Sequence, residues 1–198
     1  MALNSAKRII AERCIRLEKV VEFRFHGRGG QGAVSSAEIL ASAAFNEGRE
    51  AQAFPFFGVA RRGAPTQAFT RISEKKIRLH QNVYEPDCIV ILDDTLVNEK
   101  IFGGLKKKGT VVIASKKKAS EFRSVAPKGS KLFVADAYSI AREEIGKPIV
   151  STAILGAVVK ATKIVSMESL EKAILKAFPG PIGEKNASAA RKCFENTK

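Results

Sequence analysis

The stretch that decides the fold is Phe23-Arg-Phe-His-Gly-Arg-Gly-Gly-Gln-Gly32. It overlaps an apolar run, Val20 to Phe25, which predicts a buried first strand. After it, residues Ala33 to Phe45 carry the small and apolar side chains of a helix that packs closely on a sheet. The folded part of the chain is therefore predicted to begin with a strand, a glycine-rich turn and a helix.

Three glycines of this turn, Gly27, Gly29 and Gly32, fit the pattern G-x-G-x-x-G. Such a turn lets backbone N–H groups approach a ligand at the N-terminus of a helix, where the helix dipole favours an anion such as phosphate. The same glycines also suit a tight turn that packs against neighbouring backbone. The pattern alone leaves both interpretations open.

The second predicted strand, Glu50 to Phe54, lacks the acidic residue that dinucleotide-binding units use to hold the ribose hydroxyls. That residue normally stands at the C-terminal end of the strand, which here reads Ala53-Phe-Pro-Phe-Phe57. Glu50 stands at the opposite end. The sequence therefore argues against NAD or FAD binding, while a free-standing nucleotide-binding α/β protein stays open as an alternative.

A second unusual segment is Phe56-Phe-Gly-Val-Ala-Arg-Arg-Gly-Ala-Pro-Thr66. Its glycines and proline predict a loop. The adjacent Arg61 and Arg62 are suited to clamping a phosphate or carboxylate through paired N–H bonds, or to an ion pair between subunits. The alternative is that both side chains are solvated. Apolar residues beside two guanidinium groups favour a surface that becomes covered on binding or assembly.

The rest of the chain predicts an α/β fold, a Rossmann-like, mostly parallel sheet flanked by helices, with an antiparallel hairpin insertion and a helical C-terminal part. The hairpin is predicted from Gln67 to Ile72 and Lys76 to His80. Further strands are predicted at Cys88–Leu92, Thr110–Ala114 and Lys131–Ala135, and further helices at Leu96–Leu105, Ala137–Ile145, Thr152–Val165, Met167–Phe178 and Glu184–Phe194. Residues 1–19 are predicted to form an N-terminal helical extension and residues 20–198 a single domain.

Composition limits the class of protein. Lys and Arg outnumber Asp and Glu by 34 to 20, which gives a net charge of +14 and predicts attraction to an acidic partner. Nucleic acid, an acidic protein and a phosphorylated cofactor all qualify, although the lack of Trp and the two Tyr speak against stacking on bases. No apolar run reaches the roughly 20 residues of a membrane-spanning helix, and no secretory signal precedes the first strand. A cytoplasmic protein is expected.

Catalytic chemistry is sparse in this sequence. The three cysteines, Cys14, Cys88 and Cys193, have no C-x-x-C spacing and predict neither a metal site nor an iron–sulfur cluster. The two histidines, His26 and His80, are interpreted as polar residues at strand ends rather than as bases. Asp93 and Asp94, which follow a strand, suit either a metal or a helix N-cap, and the cap is the favoured interpretation. The sequence thus predicts a subunit without its own catalytic set.

Taken together, the two loops resemble those of a known family. The chain His26-Gly-Arg-Gly-Gly-Gln-Gly32, followed by Phe57-Gly58 and Arg61-Arg62-Gly63-Ala64-Pro65, is similar to the gamma subunit of the pyruvate and 2-oxoisovalerate ferredoxin oxidoreductases. The resemblance runs from about residue 21 to residue 194. It leaves residues 1–19 unaccounted for.

The resemblance implies an assembly of alpha, beta, gamma and delta subunits that decarboxylates a 2-oxoacid, joins the acyl group to coenzyme A and passes electrons to ferredoxin. It implies that thiamine diphosphate, with Mg²⁺, and the iron–sulfur clusters belong to other chains. From the composition, neither nucleic acid nor a membrane is an expected partner. We expect no catalytic or metal-binding residue in this chain. The candidate contacts for coenzyme A are the glycine turn and the arginine pair: Gly27, Arg28, Gly29, Gly30, Gln31, Gly32, Arg61 and Arg62.

Overall fold

A computed structural model describes residues 20–56 and 62–197. Its centre is a six-stranded sheet with the strand order β2-β3-β1-β4-β5-β6. The pairings between neighbouring strands show that five strands run in one direction and that β3 alone opposes them. The mostly parallel α/β sheet is therefore confirmed. The strands are β1 (Val21–Arg28), β2 (Glu50–Pro55), β3 (Pro65–Ser73), β4 (Cys88–Ile91), β5 (Thr110–Ala114) and β6 (Lys131–Ala135).

Strand β3 is the antiparallel insertion, but its partners differ from those predicted. It pairs with β1 on one side, from Val21 opposite Ile72, and with β2 on the other. Residues 76–80, predicted to be its hairpin partner, form no strand. Both edges of β3 are already occupied, and the guanidinium of Arg71 instead binds the backbone carbonyls of Leu79, Gln81 and Asn82. The prediction of a hairpin within residues 67–80 was wrong.

Helices cover one face of the sheet over most of its width. They enclose the larger apolar core, to which the fully buried Phe23 and Phe25 of β1 contribute. Gly156 permits close contact between two of these helices, because a Cβ atom there would lie 1.8 Å from the carbonyl oxygen of Ala190. The helices of this face are α1 (Ala33–Asn46), α3 (Ala137–Ile145), α4 (Val150–Thr162), α5 (Met167–Ala177) and α6 (Pro181–Asn196), whereas the short α2 (Ala119–Phe122) lies on the other face. The predicted helical C-terminal part is confirmed.

The other face of the sheet is covered mainly by short segments. The helix predicted from Leu96 to Leu105 is replaced by two 3₁₀ helices, Asp94–Leu96 and Glu99–Phe102. The side chain of Asn98 caps the second of them by accepting hydrogen bonds from two backbone N–H groups, and it thereby separates the two turns. Phe102 and Phe122 bury their rings here against β4 and β5 in a smaller core.

Helix capping follows the local sequence. The Ser166 hydroxyl accepts a hydrogen bond from the backbone N–H of Ser169 at 3.1 Å and caps the start of α5. Pro181 occupies the first turn of α6, where its missing N–H costs nothing. The predicted N-terminal helix, residues 1–19, lies outside the described residues.

Candidate functional site

The glycine turn lies at the C-terminal end of β1. The strand extends to Arg28, so Gly27 belongs to the sheet and pairs with Thr66 rather than forming part of the turn. The turn proper begins at Gly29. Gly30 and Gly32 adopt positive φ angles of 93° and 84°, a conformation that residues with a side chain rarely adopt. Gly32 is also the N-cap residue of α1.

Backbone hydrogen bonds join this turn to the segment that precedes β3. The N–H of Gly29 donates to the carbonyl of Ala64 at 2.8 Å, and the N–H of Gly63 donates to the carbonyl of Gly29 at 3.0 Å. Gly29 and Arg62 form an isolated parallel bridge. The structure therefore brings the two segments that were singled out in the sequence together, with Arg62 beside the turn. Arg61 lies outside the described residues.

The carboxylate of Asp93 holds the glycine turn in place through hydrogen bonds. Asp93 Oδ2 accepts a hydrogen bond from Arg28 Nε at 3.0 Å and another from Gln31 Nε2 at 2.9 Å. Gln31 Oε1 in turn accepts the backbone N–H of Arg28 at 2.6 Å. Burial acts to raise the pKa of Asp93, but the hydrogen bonds from Thr95, Gln31 and Arg28 together hold it below its usual value. The charged form of Asp93 is thus stabilised as part of the turn.

Both aspartates after β4 have structural partners. Asp93 accepts the backbone N–H of Thr95 at 3.0 Å, which confirms the predicted cap, although the element that it caps is a 3₁₀ helix. Asp94 accepts a hydrogen bond from the Ser115 hydroxyl at 2.6 Å and lies 3.5 Å from Lys117 Nζ. Among the residues that the structure describes, no group of three or more His, Cys, Asp or Glu is placed to hold a metal ion.

A cleft of about 640 Å³ opens beside the turn. Helix α1 points its N-terminus into it, and this helix has no side-chain N-cap and no acidic residue in its first turn. The backbone N–H groups of that turn are therefore left for a ligand or for water, and the helix dipole adds positive potential there. The described residues that line the cleft include no acidic residue and are Arg28, Gly29, Gly30, Gly32, Ala33, Val34, Ser35, Arg62 and Thr66. The arrangement suits an anionic group.

The geometry differs from that of a dinucleotide-binding unit. Strand β2 ends at Phe54 and Pro55, as predicted, so this strand end offers no carboxylate to a ribose. Strand β3 moreover separates β2 from β1 in the sheet. A group at the end of β2 is consequently displaced by one strand from the glycine turn.

Histidine and cysteine contribute no reactive group among the described residues. His26 is buried, and burial together with the nearby charge of Arg24 lowers its pKa to about 3. His80 is exposed and lies in the irregular segment after β3, not at a strand end. Cys88 and Cys193 are free and buried, and burial raises the pKa of each thiol. Both side chains pack in the larger apolar core.

Comparisons with known proteins agree with this architecture. A family model described as pyruvate ferredoxin/flavodoxin oxidoreductase matches residues 22–196. The pyruvate/ketoisovalerate oxidoreductases common subunit gamma of Pyrococcus abyssi is 54% identical over 181 residues, which cover 90% of this chain and 98% of that protein. Pyruvate synthase subunit PorC of Methanothermobacter marburgensis is 52% identical over 180 residues, covering 90% of this chain and 98% of that protein.

Solved structures show the same fold. The crystal structure of the pyruvate oxidoreductase subunit PORC from Thermotoga maritima matches with a TM-score of 0.82 at 40% identity, covering 91% of this chain and 98% of that one. A 2-oxoglutarate:ferredoxin oxidoreductase from Magnetococcus marinus, solved with 2-oxoglutarate, coenzyme A and succinyl-CoA bound, matches with a TM-score of 0.69 at 18% identity. That match covers 90% of this chain and 31% of the other, and it shows a shared fold alone.

The chain belongs to the pyruvate ferredoxin/flavodoxin oxidoreductase family. The predicted role, that of a gamma-type subunit in a multi-subunit 2-oxoacid oxidoreductase, is confirmed at this level. No helix among residues 20–56 and 62–197 is long and apolar enough to cross a membrane.

Sequence reasoning missed two features of this region. The first is the role of Asp93 as the common partner of Arg28 and Gln31, which lie more than 60 positions away along the chain. The second is a cleft on the opposite face of the sheet, lined by Arg24 and His26. The available signal was the alternation of polar and apolar residues along β1. It places the polar side chains on the other face of the sheet, where no apolar layer of the described residues covers them.

Proposed function

We propose that this chain assembles with alpha, beta and delta subunits into a 2-oxoacid:ferredoxin oxidoreductase that converts pyruvate or a branched 2-oxoacid to its acyl-coenzyme A derivative. The near full-length match to gamma-type subunits supports this assembly. Thiamine diphosphate, Mg²⁺ and the iron–sulfur clusters are then held by the other chains, and ferredoxin is reached through the complex. The isolated chain is expected to be inactive, because its described residues place no base or nucleophile at the glycine turn.

The role that we assign to this chain is to border the path of coenzyme A. One observation carries the assignment: the glycine turn and the segment at Arg62 are joined by backbone hydrogen bonds around a cleft without acidic residues. Coenzyme A carries phosphate groups. A helix N-terminus with free N–H groups and an adjacent guanidinium are suited to binding phosphate.

The residues at this cleft divide into two roles. The backbone of Gly29, Gly30 and Gly32 and the exposed side chain of Arg62 are the proposed anion contacts. Arg61, which precedes Arg62 in the sequence, is proposed as a further contact. Arg28 and Gln31 are proposed to act differently from the simple contacts expected from the sequence. Their side chains bind Asp93, and Arg28 also donates to the Thr95 hydroxyl at 2.9 Å, so they position the turn.

The test is the Michaelis constant for coenzyme A in the assembled complex. Two variants are compared: Arg62→Ala, and the double variant with both Arg61→Ala and Arg62→Ala. Each is expected to raise the Michaelis constant for coenzyme A about tenfold or more, because a charge-assisted hydrogen bond contributes roughly 1.5–3 kcal/mol. Lys107→Ala, an exposed lysine away from this cleft, is the matched control and is expected to change nothing. An unchanged constant in an intactly assembled double variant would contradict the role at coenzyme A but not the assembly.

A further inference from the structure

A second cleft, of about 400 Å³, lies on the sheet face opposite α1. It is enclosed by the C-terminal half of β1, the beginning of β3 and the two 3₁₀ helices. The side chains of Phe23 and Phe25 point to the core beneath α1, so Arg24 and His26 between them point to this cleft. It shares only Thr66 with the cleft beside the glycine turn.

Arg24 is a buried cation that has no acidic partner among the described residues. Only 9% of the residue is exposed. Its guanidinium donates to neutral groups: Nε to His26 Nε2 at 3.0 Å, and Nη2 to the carbonyls of Ile101 and Gly103 at 3.1 and 2.6 Å. No carboxylate of the described residues forms an ion pair with it. Burying a charge without a counter-charge is costly, and the lowered pKa of Arg24 follows from that burial.

Two N–H groups of residues that line this cleft have no partner within residues 20–56 and 62–197. Arg24 Nη1 has no hydrogen-bond partner among the described residues, and neither has Nδ1 of His26. Among the described residues every fully buried side-chain nitrogen has a hydrogen-bond partner, so these two unpartnered atoms are not fully buried, and both residues line the cleft. Because His26 Nε2 accepts a hydrogen bond from Arg24, the proton of the neutral imidazole resides on Nδ1. Both open groups are therefore donors.

The rest of the lining combines further donors with apolar walls. Lys100 is an exposed cation at the rim, and Gln67 makes no side-chain hydrogen bond within the described structure. Phe56, which is 43% exposed, and the side chains of Leu96 and Ile101 supply apolar surface. None of the described residues that line this cleft is acidic.

We propose that this cleft is a binding site for a carboxylate attached to a short apolar group. The carboxylate oxygens accept hydrogen bonds from Arg24 and His26 and face Lys100, while the apolar part lies against Phe56 and Ile101. A bound carboxylate supplies the negative charge that the buried guanidinium lacks. It thereby offsets the cost of burying Arg24.

The carboxylate has two sources with the same chemistry. One is an Asp or Glu side chain of a neighbouring subunit, and this source rests on the assembly proposed above. The other is a small free carboxylic acid, which requires no assembly. The experiment therefore has one arm for the single chain and one for the complex.

The first arm titrates the full-length chain with butyrate and follows the imidazole signals by NMR. His80 lies outside the cleft, so it serves as the internal reference in a chain with two histidines. We expect a saturable shift of His26 alone, with butylamine inert and inorganic phosphate weaker than butyrate. Lys100→Ala and Gln67→Ala, which leave Arg24 in place, should weaken binding, the former about tenfold. Lys107→Ala is the control.

The second arm treats the assembled complex with a carbodiimide, which joins an amine to a carboxylate in direct contact. A cross-link from Lys100 to another subunit, absent in Lys100→Ala, assigns the carboxylate to that subunit. A saturable butyrate shift without the cross-link assigns a free acid. The absence of both butyrate binding and a cross-link would overturn the site, and so would tighter binding of phosphate than of butyrate. Either result would leave the coenzyme A assignment untouched.

Discussion

The guanidinium of Arg28 lies 3.0 Å from the carboxylate of Asp93, and this ion pair joins the end of β1 to the end of the parallel strand β4. The carboxylate is mostly buried, with 13% of its side chain exposed. The same oxygen binds Gln31, so a single side chain fixes both ends of the glycine turn. Four predictions concern this framework and its neighbours.

Replacing Asp93→Asn should destabilise the fold by about 1–3 kcal/mol, because Arg28 and Gln31 lose their charged acceptor. Chemical denaturation measures the loss. Hydrogen exchange at the Arg28 amide, which donates to Gln31, should also become faster. Asp94→Asn is the control, since Asp94 binds Ser115 and Lys117 instead. Equal effects of the two variants on this amide would refute the account.

Gly32→Ala should destabilise the protein for two reasons. The φ angle of 84° strains any residue with a side chain, at a cost on the order of 1–3 kcal/mol. The new Cβ atom would also lie 2.7 Å from Cβ of Ser151. Gly48→Ala isolates the first cost, because Gly48 has a φ angle of 77° and nothing within 4 Å. The midpoint temperature of thermal unfolding should be lower for Gly32→Ala than for Gly48→Ala. Adding Ser151→Gly to Gly32→Ala should restore part of the difference.

Arg71→Met should cost about 3–5 kcal/mol, since it breaks a buried ion pair. Arg71 is fully buried, lies 2.9 Å from Glu22 and donates to the carbonyls of residues 79, 81 and 82. Denaturation gives the loss, and hydrogen exchange should show residues 79–82 opening first. Lys172→Met, at the exposed pair with Glu168, should leave stability nearly unchanged. Arg71→Met with unaltered stability would disprove this role.

His26 should make stability depend on pH. Its pKa is about 3 in the folded protein and about 6.5 in an unfolded chain, so between these values the unfolded state binds more protons. Stability from this group is complete above pH 6.5 and is lost on acidification, by up to about 1.4 kcal/mol per pH unit. His26→Gln should flatten the profile between pH 6.5 and 4.5. If stability depended on pH with the same slope in the original protein and in His26→Gln, the buried neutral imidazole would be contradicted.

Most strands and helices were predictable because their signals are local. The apolar runs at β4, β5 and β6 and the helical spacing of α3 to α6 predict elements that the structure confirms within a few residues. The glycine turn was recognisable for the same reason. What failed depended on partners distant in sequence: β3 has both its edges filled by β1 and β2, which left residues 76–80 no edge for a ladder.

The helix predicted at Leu96–Leu105 failed for a local reason that the sequence does contain. Asn98 is a strong N-cap residue, and Gly103 with Gly104 begins five residues later. At the site, the joining of the turn to Arg62 is a backbone contact across more than 30 residues. The acceptor shared by Arg28 and Gln31 is similarly remote, so neither was visible in the sequence.

The measurement that tests the central claim most directly is purification of the native protein from its source, followed by an assay of 2-oxoacid oxidation. The account predicts that the chain elutes with three other subunits in a brown complex whose activity requires thiamine diphosphate and coenzyme A. A colourless homo-oligomer without that activity would contradict it.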